Sequence, residues 1–414
     1  MTRLRAREIV RSVDAVTCYA ELAVRVGANV QPGQVLFLHG EPEHAQLLRA
    51  LAEAGWRAGA GDVQCVYADD HIRRLHAIHA PEDLLDRTPP WTETAFLATE
   101  GAALIQTLGD VDPELFADVD PRRAALAEPK RLREIAHDLT ARLATAWCIV
   151  ACPTEGWARS LFGAPDVGRL WDEISVVTRL DVEDPVEAWR HHIAALLERA
   201  RLLDERNLVS LRFRGPDTDL SVGLIEGASW LSATSRTSWG QEHVVNLPTE
   251  EVFTTPDRLA TEGTVRLTAP LYWYGSTVEG GWLRFAGGDV VEARAERGED
   301  FLRTKLATDP GASQLGEVAL VDVDSAIGRR GILFRNGLLD ENASSHVAIG
   351  SGYTDPVAGS SSLDDDGRLA AGINVSTIHI DLMIGGAEVD VDGLGADGSV
   401  VRILEQGRWV LGGG

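Results

Sequence analysis

The sequence QVLFLHGEPEHAQLLRALAEAGWRAGAGDVQCVYADD, residues 34–70, contains two apolar runs on either side of a helical pattern. Its first seven residues form a short apolar run next to turn residues, which predicts a buried strand. Glu43 to Trp56 has apolar residues at helical spacing, and DVQCVYADD from Asp62 predicts a second strand. A helix that connects two buried strands is typical of a parallel sheet with covering helices.

The same alternation continues to about residue 153. Apolar residues at helical spacing predict a helix over residues 7–28, before the first strand. They predict further helices near Glu93 to Gly101 and over Pro121 to Thr145. The runs ALIQTLG at 103–109 and WCIVACP at 147–153 predict strands. No glycine-rich phosphate loop follows these strands, so the layout resembles a nucleotide-binding fold without the residues that bind a nucleotide.

The pattern of apolar residues changes near Asn207. Before it, helical spacing continues over Val167 to Thr178 and Pro185 to Glu205. Beyond it, two-residue alternation and turn dipeptides predict strands and hairpins. The turn dipeptides are Asp392-Gly393, Asp397-Gly398 and Gln406-Gly407. We therefore predict an α/β N-terminal domain with a parallel sheet over residues 1–206, and a β-rich α+β catalytic domain over residues 207–414.

The composition limits the partners and the compartment. A net charge of -24 argues against nucleic acid and anionic membranes, because both require clustered cations. The N-terminus has no apolar signal core, and no uncharged stretch approaches the roughly 18 residues that cross a bilayer. We predict a cytoplasmic protein. Its four cysteines fit this prediction, and we interpret them as buried thiols.

The segment DENASSHVAIGSGY, residues 340–353, has the pattern of a functional site. Glu341 and His346 are residue types that bind divalent ions, and the residues between them add little bulk. Tyr353 adds a phenol that can stabilise a developing negative charge. The simpler alternative for His346 is a core histidine bonded to the backbone, and for Tyr353 a core tyrosine.

A second cluster follows in INVSTIHIDLMIG, residues 373–385. Its alternation puts His379 and Asp381 on one face of a strand and Ile380 and Leu382 on the other. His379 alone would also be interpreted as a core histidine. Two such clusters together favour a shared metal centre.

Two further segments contribute acids. In NLPTEEVFTTP, residues 246–256, strand alternation predicts that either Glu250 or Glu251 points inward and the other meets solvent. An exposed acidic edge that discourages strand pairing is the alternative. In LGEVALVD, Glu317 is the only charge among apolar residues and Gly, which favours a metal ligand because an unpaired buried carboxylate is costly. We interpret His71, His76 and His79 as part of a solvated helix face.

These segments, in this order, resemble the metalloaminopeptidase family typified by aminopeptidase T. The C-terminal half matches in NLPTEEVF, LGEVALV, DENASSHVAIGSGY and GINVSTIHIDLMIG followed by VDVDG. The N-terminal half matches in PGQVLFLHG, GWARSLF and EDPVEAWRHH, so the likeness spans nearly the whole chain.

The resemblance implies a cytosolic, homodimeric exopeptidase that removes the N-terminal residue of short peptides with two divalent metal ions. The α/β domain is then expected to help enclose the active site. The family's metal positions fall on Glu251, Glu317, Glu341, His346, His379 and Asp381, and Tyr353 occupies the family's tyrosine position. Glu341 is assigned both as a ligand and as the general base. Histidine with carboxylate suits zinc, cobalt or manganese.

Two other functions are compatible with parts of this pattern. His346, His379 and Asp381 alone would form the two-histidine, one-carboxylate set of a mononuclear iron(II) ring-cleaving dioxygenase. The extra carboxylates of Glu251 and Glu317 count against that reaction. An inactive peptide-binding homologue would be expected to have lost at least one ligand, and none of the family positions is changed.

Overall fold

A computed structural model describes residues 15–112, 114–273 and 276–412 of the chain. Its contacts divide the chain into two units. Unit 1 comprises Met1–Arg190 with Thr234–Pro248, and unit 2 comprises His191–Ala233 with Thr249–Gly414. This division differs from the single boundary predicted at residue 206. The reason is that the last long helix before the strands ends with Ala200 and Leu203 in the core of unit 2.

The regular elements follow the predicted change from mixed to strand-rich structure. The helices are α1 Ala45–Ala58, α2 Asp70–His79, α3 Pro90–Leu97, α4 Pro121–Leu126, α5 Lys130–Ala141, α6 Glu155–Phe162, α7 Val167–Val177, α8 Pro185–Asp204, α9 Glu299–Leu306, α10 Gly337–Asp340 and α11 Asp365–Ala370. A π-helical turn forms at Ala23–Gly27, and 3₁₀ turns form at Pro42–His44, Glu82–Leu84, Gly328–Arg330, Glu341–Ala343 and Ser360–Ser362.

The strands are β1 Val35–Gly40, β2 Asp62–Tyr67, β3 Ala103–Leu108, β4 Ala146–Ala151, β5 Leu208–Gly215, β6 Thr218–Leu224, β7 Leu231–Ser232, β8 Thr234–Arg236, β9 Glu242–Val244, β10 Asn246–Leu247, β11 Glu251–Thr254, β12 Pro256–Arg266, β13 Leu271–Trp273, β14 Ser276–Val278, β15 Trp282–Ala286, β16 Asp289–Arg294, β17 Leu315–Val321, β18 His346–Gly350, β19 His379–Met383, β20 Asp390–Gly395, β21 Val400–Glu405 and β22 Arg408–Trp409.

Unit 1 contains the predicted parallel sheet. Its five strands have the order β10-β4-β3-β1-β2, and every neighbouring pair is parallel. The helix predicted over Pro121 to Thr145 is instead two helices, α4 and α5. Pro129 lies between them, and a proline lacks the N–H that a continuous helix needs. The part of the predicted first helix that precedes residue 15 lies outside the described residues.

The cysteines are buried in part. Cys148 and Cys152 are buried in and just after β4, as predicted, whereas Cys18 and Cys65 are exposed and the prediction for them is wrong. Cys65 is exposed because β2 is the edge strand of the sheet. Across the three described ranges, no helix is both long enough and apolar enough to cross a membrane.

Unit 2 contains two large antiparallel sheets that share one hydrophobic core, and the two-stranded sheet β13-β14. The larger has eight strands in the order β16-β15-β12-β6-β5-β20-β21-β22, and the smaller has five in the order β19-β18-β17-β11-β7. Phe213 and Phe285 of the larger sheet join Leu320 and Ile380 of the smaller one in this core. The dipeptide Asp392-Gly393 lies inside β20 and is not a turn, because β20 pairs through it with β5 and β21. The predicted β-rich fold is otherwise confirmed.

Candidate metal centre

One face of the five-stranded sheet in unit 2 carries the predicted site residues. Residues directly opposite each other in an antiparallel pair share a face, so the register identifies this face. The pairs on it are Glu251 with Val321, Phe253 with Ala319, Ala319 with His346, Glu317 with Ala348, Ala348 with Asp381 and Gly350 with His379. The opposite face carries the apolar residues Val252, Val318, Leu320, Val347, Ile349, Ile380 and Leu382, which pack into the core. We call the first surface the site face.

Small residues at the centre of the site face leave room beside the acids and histidines. Ala348 lies between Glu317 on one neighbouring strand and Asp381 on the other. Gly350 has a φ of 104°, and a Cβ there would come within 2.1 Å of the carbonyl oxygen of Ile378. A side chain at Gly350 would therefore push β18 away from the start of the strand that carries His379.

The structure brings five of the six predicted metal residues into two groups. Ligand atoms of Glu251, Glu317 and His346 lie within 4.8 Å of one another, and so do those of Glu317, His379 and Asp381. Glu317 belongs to both groups. Carboxylates have two oxygens and can bridge two cations, so the shared residue suits two adjacent ions.

The histidine nitrogens point toward these carboxylates. Nε2 of His346 lies 3.2 Å from Oε2 of Glu251, and Nε2 of His379 lies 3.1 Å from Glu317 and 3.4 Å from Asp381. Oε2 of Glu251 and Oδ1 of Asp381 are buried, and the imidazole nitrogen beside each lies at ion-pair distance without the geometry of a full hydrogen bond. Buried carboxylate oxygens that lack a well-formed hydrogen bond are costly unless a cation binds them, so these atoms fit a metal ion.

Backbone carbonyls orient both imidazole rings. Nδ1 of His379 donates to the carbonyl oxygen of Ser351 at 2.8 Å, and Nδ1 of His346 lies 3.3 Å from that of Ser344. A histidine that donates through Nδ1 presents the lone pair of Nε2, the arrangement common to metal-binding histidines.

The electrostatics of this face also indicate a place for positive charge. Burial alone lowers the pKa of His346, but the hydrogen bond and charge of Glu251, with the charge of Glu317, raise it to about 10. Desolvation and then the charge of Glu251 raise the pKa of Glu317, even though His379 opposes the shift. The acids therefore hold a proton on His346 when no metal supplies the positive charge.

Glu341 is close to both groups but is not a member of either. Burial and then the charges of Asp381 and Glu251 raise its pKa well above the usual range. Asn342 holds the segment in place: its Nδ2 donates to Leu338 O at 3.0 Å and to Oε1 of Glu341 at 3.3 Å, while its Oδ1 accepts from the Glu250 N–H at 2.7 Å. Asn342 is fully buried, and sequence reasoning missed this positioning role.

Tyr353 lies beside the histidine of the second group. Its ring centroid is 5.0 Å from that of His379 and 5.5 Å from that of Phe253. Desolvation of the phenol and then the charges of Glu317 and Asp381 raise the pKa of Tyr353 above its usual range, so the hydroxyl stays protonated. The residue is nevertheless 43% exposed, so it lies at an open side of the site.

One expectation about the neighbouring acids is wrong. Glu250 does not meet solvent: it is 3% exposed, with Nε2 of His192 at 3.5 Å from its carboxylate. It precedes β11, so strict strand alternation does not apply to it.

The histidines of α2 belong to a helix surface, as predicted. His71 and His79 are exposed, and His76 contacts the carbonyl oxygen of Leu85. In the described part of the chain, the groups of residues able to hold a metal ion are the two on the site face.

Comparisons with known proteins agree with the resemblance seen in the sequence. The chain is 42% identical over 400 residues to aminopeptidase T from Thermus aquaticus, covering 95% of this chain and 97% of that protein. Its structure is similar to that of wild-type AmpT from Thermus thermophilus, with a TM-score of 0.89 and 39% identity over 97% of this chain and 99% of the other. The predicted activity, a metal-dependent aminopeptidase, is confirmed by these matches.

A more distant likeness concerns the dioxygenase alternative. A dioxygenase from Pseudomonas putida KT2440 matches with a TM-score of 0.52 and 13% identity, over 96% of each chain. At this identity the likeness shows a shared fold and does not extend to the reaction.

The family model described as thermophilic metalloprotease (M29) matches residues 13–409. That match spans both units, including every residue of the site face. The chain therefore belongs to the M29 family of thermophilic metalloproteases.

Proposed function

We propose that this metal-dependent aminopeptidase binds two divalent cations on the site face and uses them to release N-terminal residues from short peptides. The observation that carries the proposal is the position of Glu317 in both ligand groups. One carboxylate shared by two sets of nitrogen and oxygen donors is the arrangement expected for a pair of neighbouring ions.

Charge balance supports the number of ions. Glu251, Glu317, Glu341 and Asp381 bring four negative charges when ionised, and two divalent cations bring four positive charges. With a single divalent ion, two negative charges would have to be balanced by protons on the site residues, such as the one that His346 holds. Mixed imidazole and carboxylate donors suit zinc, cobalt or manganese.

Each ligand group would hold one cation. His346 and Glu251 would bind the first, His379 and Asp381 would bind the second, and Glu317 would bridge them. When bound, such ions lower the pKa of a water molecule and polarise the scissile carbonyl. The metal-loaded site would also accept the neutral free amine of the substrate as a ligand, which favours cleavage at the N-terminus.

The remaining roles fall to Glu341 and Tyr353. Glu341 is absent from both ligand groups and has a raised pKa, so we assign it as the general base that accepts the proton of the attacking water. Tyr353, whose hydroxyl stays protonated, would donate a hydrogen bond to the oxyanion that develops on the scissile carbonyl. Asn342 would keep the Glu341 carboxylate directed at the site.

The test is hydrolysis of leucine p-nitroanilide and of unblocked dipeptides by purified protein. We expect cleavage of unblocked substrates, no cleavage of N-acetylated ones, loss of activity with a chelator and recovery with zinc, cobalt or manganese. Cleavage of the N-acetylated substrates would contradict an aminopeptidase. Oxygen uptake that requires ferrous iron, without peptide cleavage, would replace the proposal by the dioxygenase.

We also propose a homodimer located in the cytoplasm, and what supports this is the resemblance to the aminopeptidase T family. Light scattering after size exclusion should give twice the mass of one chain, and cell fractionation should recover the activity with cytoplasmic markers. An active species with the mass of one chain, or activity recovered outside the cytoplasm, would contradict the corresponding part of this proposal.

A further inference from the structure

We propose that Phe253 shapes the pocket for the first side chain of the substrate and makes the enzyme prefer peptides with an apolar N-terminal residue. The inference rests on the proposed function, because it assumes that the substrate amine binds at the acids and histidines of the site face. It adds a residue and a substrate class to that function.

Strand register puts Phe253 on the site face. It lies two residues after Glu251 on β11, so both side chains point to the same side of the strand. Phe253 lies opposite Ala319 on the neighbouring strand β17 and opposite Leu231 on the other neighbour, β7. Ala319 in turn lies opposite His346 on β18. Phe253 and Leu231 are therefore neighbours on the site face at its β7 edge.

Ring contacts connect Phe253 to the second ligand group. Its centroid lies 5.5 Å from that of Tyr353, which in turn lies 5.0 Å from that of His379. Phe253 and Leu231 are half-buried, and Tyr353 is 43% exposed. We name these three residues the apolar shelf. A partly open aromatic surface next to metal-binding groups can cover part of a bound substrate.

The chemistry of the rest of the site face makes this shelf selective. The other functional side chains on that face are carboxylates and imidazoles, with small residues between them. The apolar shelf has no charged group that could pair with an acidic first side chain, whereas an apolar one would lose water-exposed surface against the shelf. Burial stabilises a complex in proportion to the apolar surface that is removed from water, so leucine gains more than alanine does.

The experiment compares kcat/KM for the p-nitroanilides of leucine, alanine and glutamate in wild type and Phe253→Ala. We expect wild type to follow the order leucine, alanine, glutamate. In Phe253→Ala the ratio of leucine to alanine should fall by about tenfold or more, the size expected when several methylene contacts in a pocket are lost. Phe253→Leu, which keeps an apolar side chain, should recover part of the ratio.

Phe301→Ala is the matched control, because it removes the same ring from a half-buried position on α9 of unit 2. It should leave the leucine-to-alanine ratio unchanged. Bound metal, measured by mass spectrometry, shows whether Phe253→Ala has disturbed Glu251 instead. An equal decrease in kcat/KM for the leucine and alanine substrates would overturn the inference. So would a loss of bound metal that accounts for the change. In both cases the aminopeptidase function stands. No hydrolysis of any substrate by wild type would instead overturn the proposed function and this inference with it.

Discussion

Nε2 of His379 lies 3.1 Å from a carboxylate oxygen of Glu317, although 62 residues separate them along the chain. Their strands, β19 and β17, are not neighbours, because β18 lies between them in the sheet. The two side chains therefore meet above β18, where the intervening positions are occupied by Ala348 and Gly350. The small size of these two residues is part of the site.

We predict that Ala348→Val reduces metal binding and lowers kcat/KM by roughly a hundredfold, because two methyl groups would occupy the space between Glu317 and Asp381. Overpacking should also lower the free energy of unfolding by about 1–3 kcal/mol. Ala293→Val, which adds the same methyl groups at a buried position in β16, is the control and should retain metal. Metal content by mass spectrometry decides the matter, and a fully loaded Ala348→Val would contradict the assignment.

The neighbouring acids Glu250 and Glu251 should respond differently to the same change. Glu251→Gln removes a proposed ligand, so we expect loss of metal and a decrease in activity of roughly a hundredfold or more. Glu250 lies beside His192 and outside the ligand groups, so Glu250→Gln should keep its metal. Metal content and kcat/KM of the two purified variants test this. The reverse result would mean that Glu250 is the ligand.

Glu341→Gln separates the role of base from that of ligand. If Glu341 accepts the proton of water, the variant should bind metal as wild type does and lose about two to four orders of magnitude in kcat with little change in KM. Steady-state kinetics with metal analysis on the same sample make the distinction. Loss of metal, with activity partly restored by excess metal, would assign Glu341 as a ligand, and near-normal turnover would remove it from the site.

A buried histidine of unit 1 makes stability depend on pH. His44 is 1% exposed, with Nδ1 2.9 Å from the Thr107 hydroxyl and Nε2 3.1 Å from the Gly109 carbonyl oxygen. Desolvation lowers its pKa from 6.5 to about 4, although the bond to Gly109 opposes the shift. The unfolded chain binds the proton more readily, so stability is lost as the pH falls from about 6.5 to about 4.

The expected contribution of His44 is up to about 3 kcal/mol across that window. The measurement is the free energy of unfolding in urea at pH 7 and pH 4.5 for wild type and His44→Gln. The difference between the two proteins isolates His44 from other titrating groups, and the variant should lose less stability on acidification. Equal losses in both proteins would show that His44 does not titrate in this way.

The sequence predicts the site where strand alternation applies and fails where it does not. His379 and Asp381 lie in a regular strand, so their common face was predictable from the pattern. Glu250 precedes its strand and contacts His192, which is 58 residues away and cannot be identified as a neighbour from local sequence. The meeting of Glu317 with His379 required the family resemblance, because spacing alone does not give the order of strands.

The errors in the fold have similar causes. Asp392-Gly393 is a turn dipeptide by composition, but pairing of β20 with two neighbours overrides that local preference. Pro129 was a visible signal for the break between α4 and α5. Asn342 had no such signal, since its contact with the Glu250 N–H appears only when the two segments meet.

The most direct test of the two-ion centre is a metal titration of the chelated enzyme, with activity and bound metal measured at each step. Wild type should bind two divalent ions per chain and reach full activity at the second equivalent. Glu317→Gln, which lacks the proposed bridge, should bind fewer than two ions and lose most of its turnover. Full activity of wild type at one equivalent, with no second ion bound, would contradict the account.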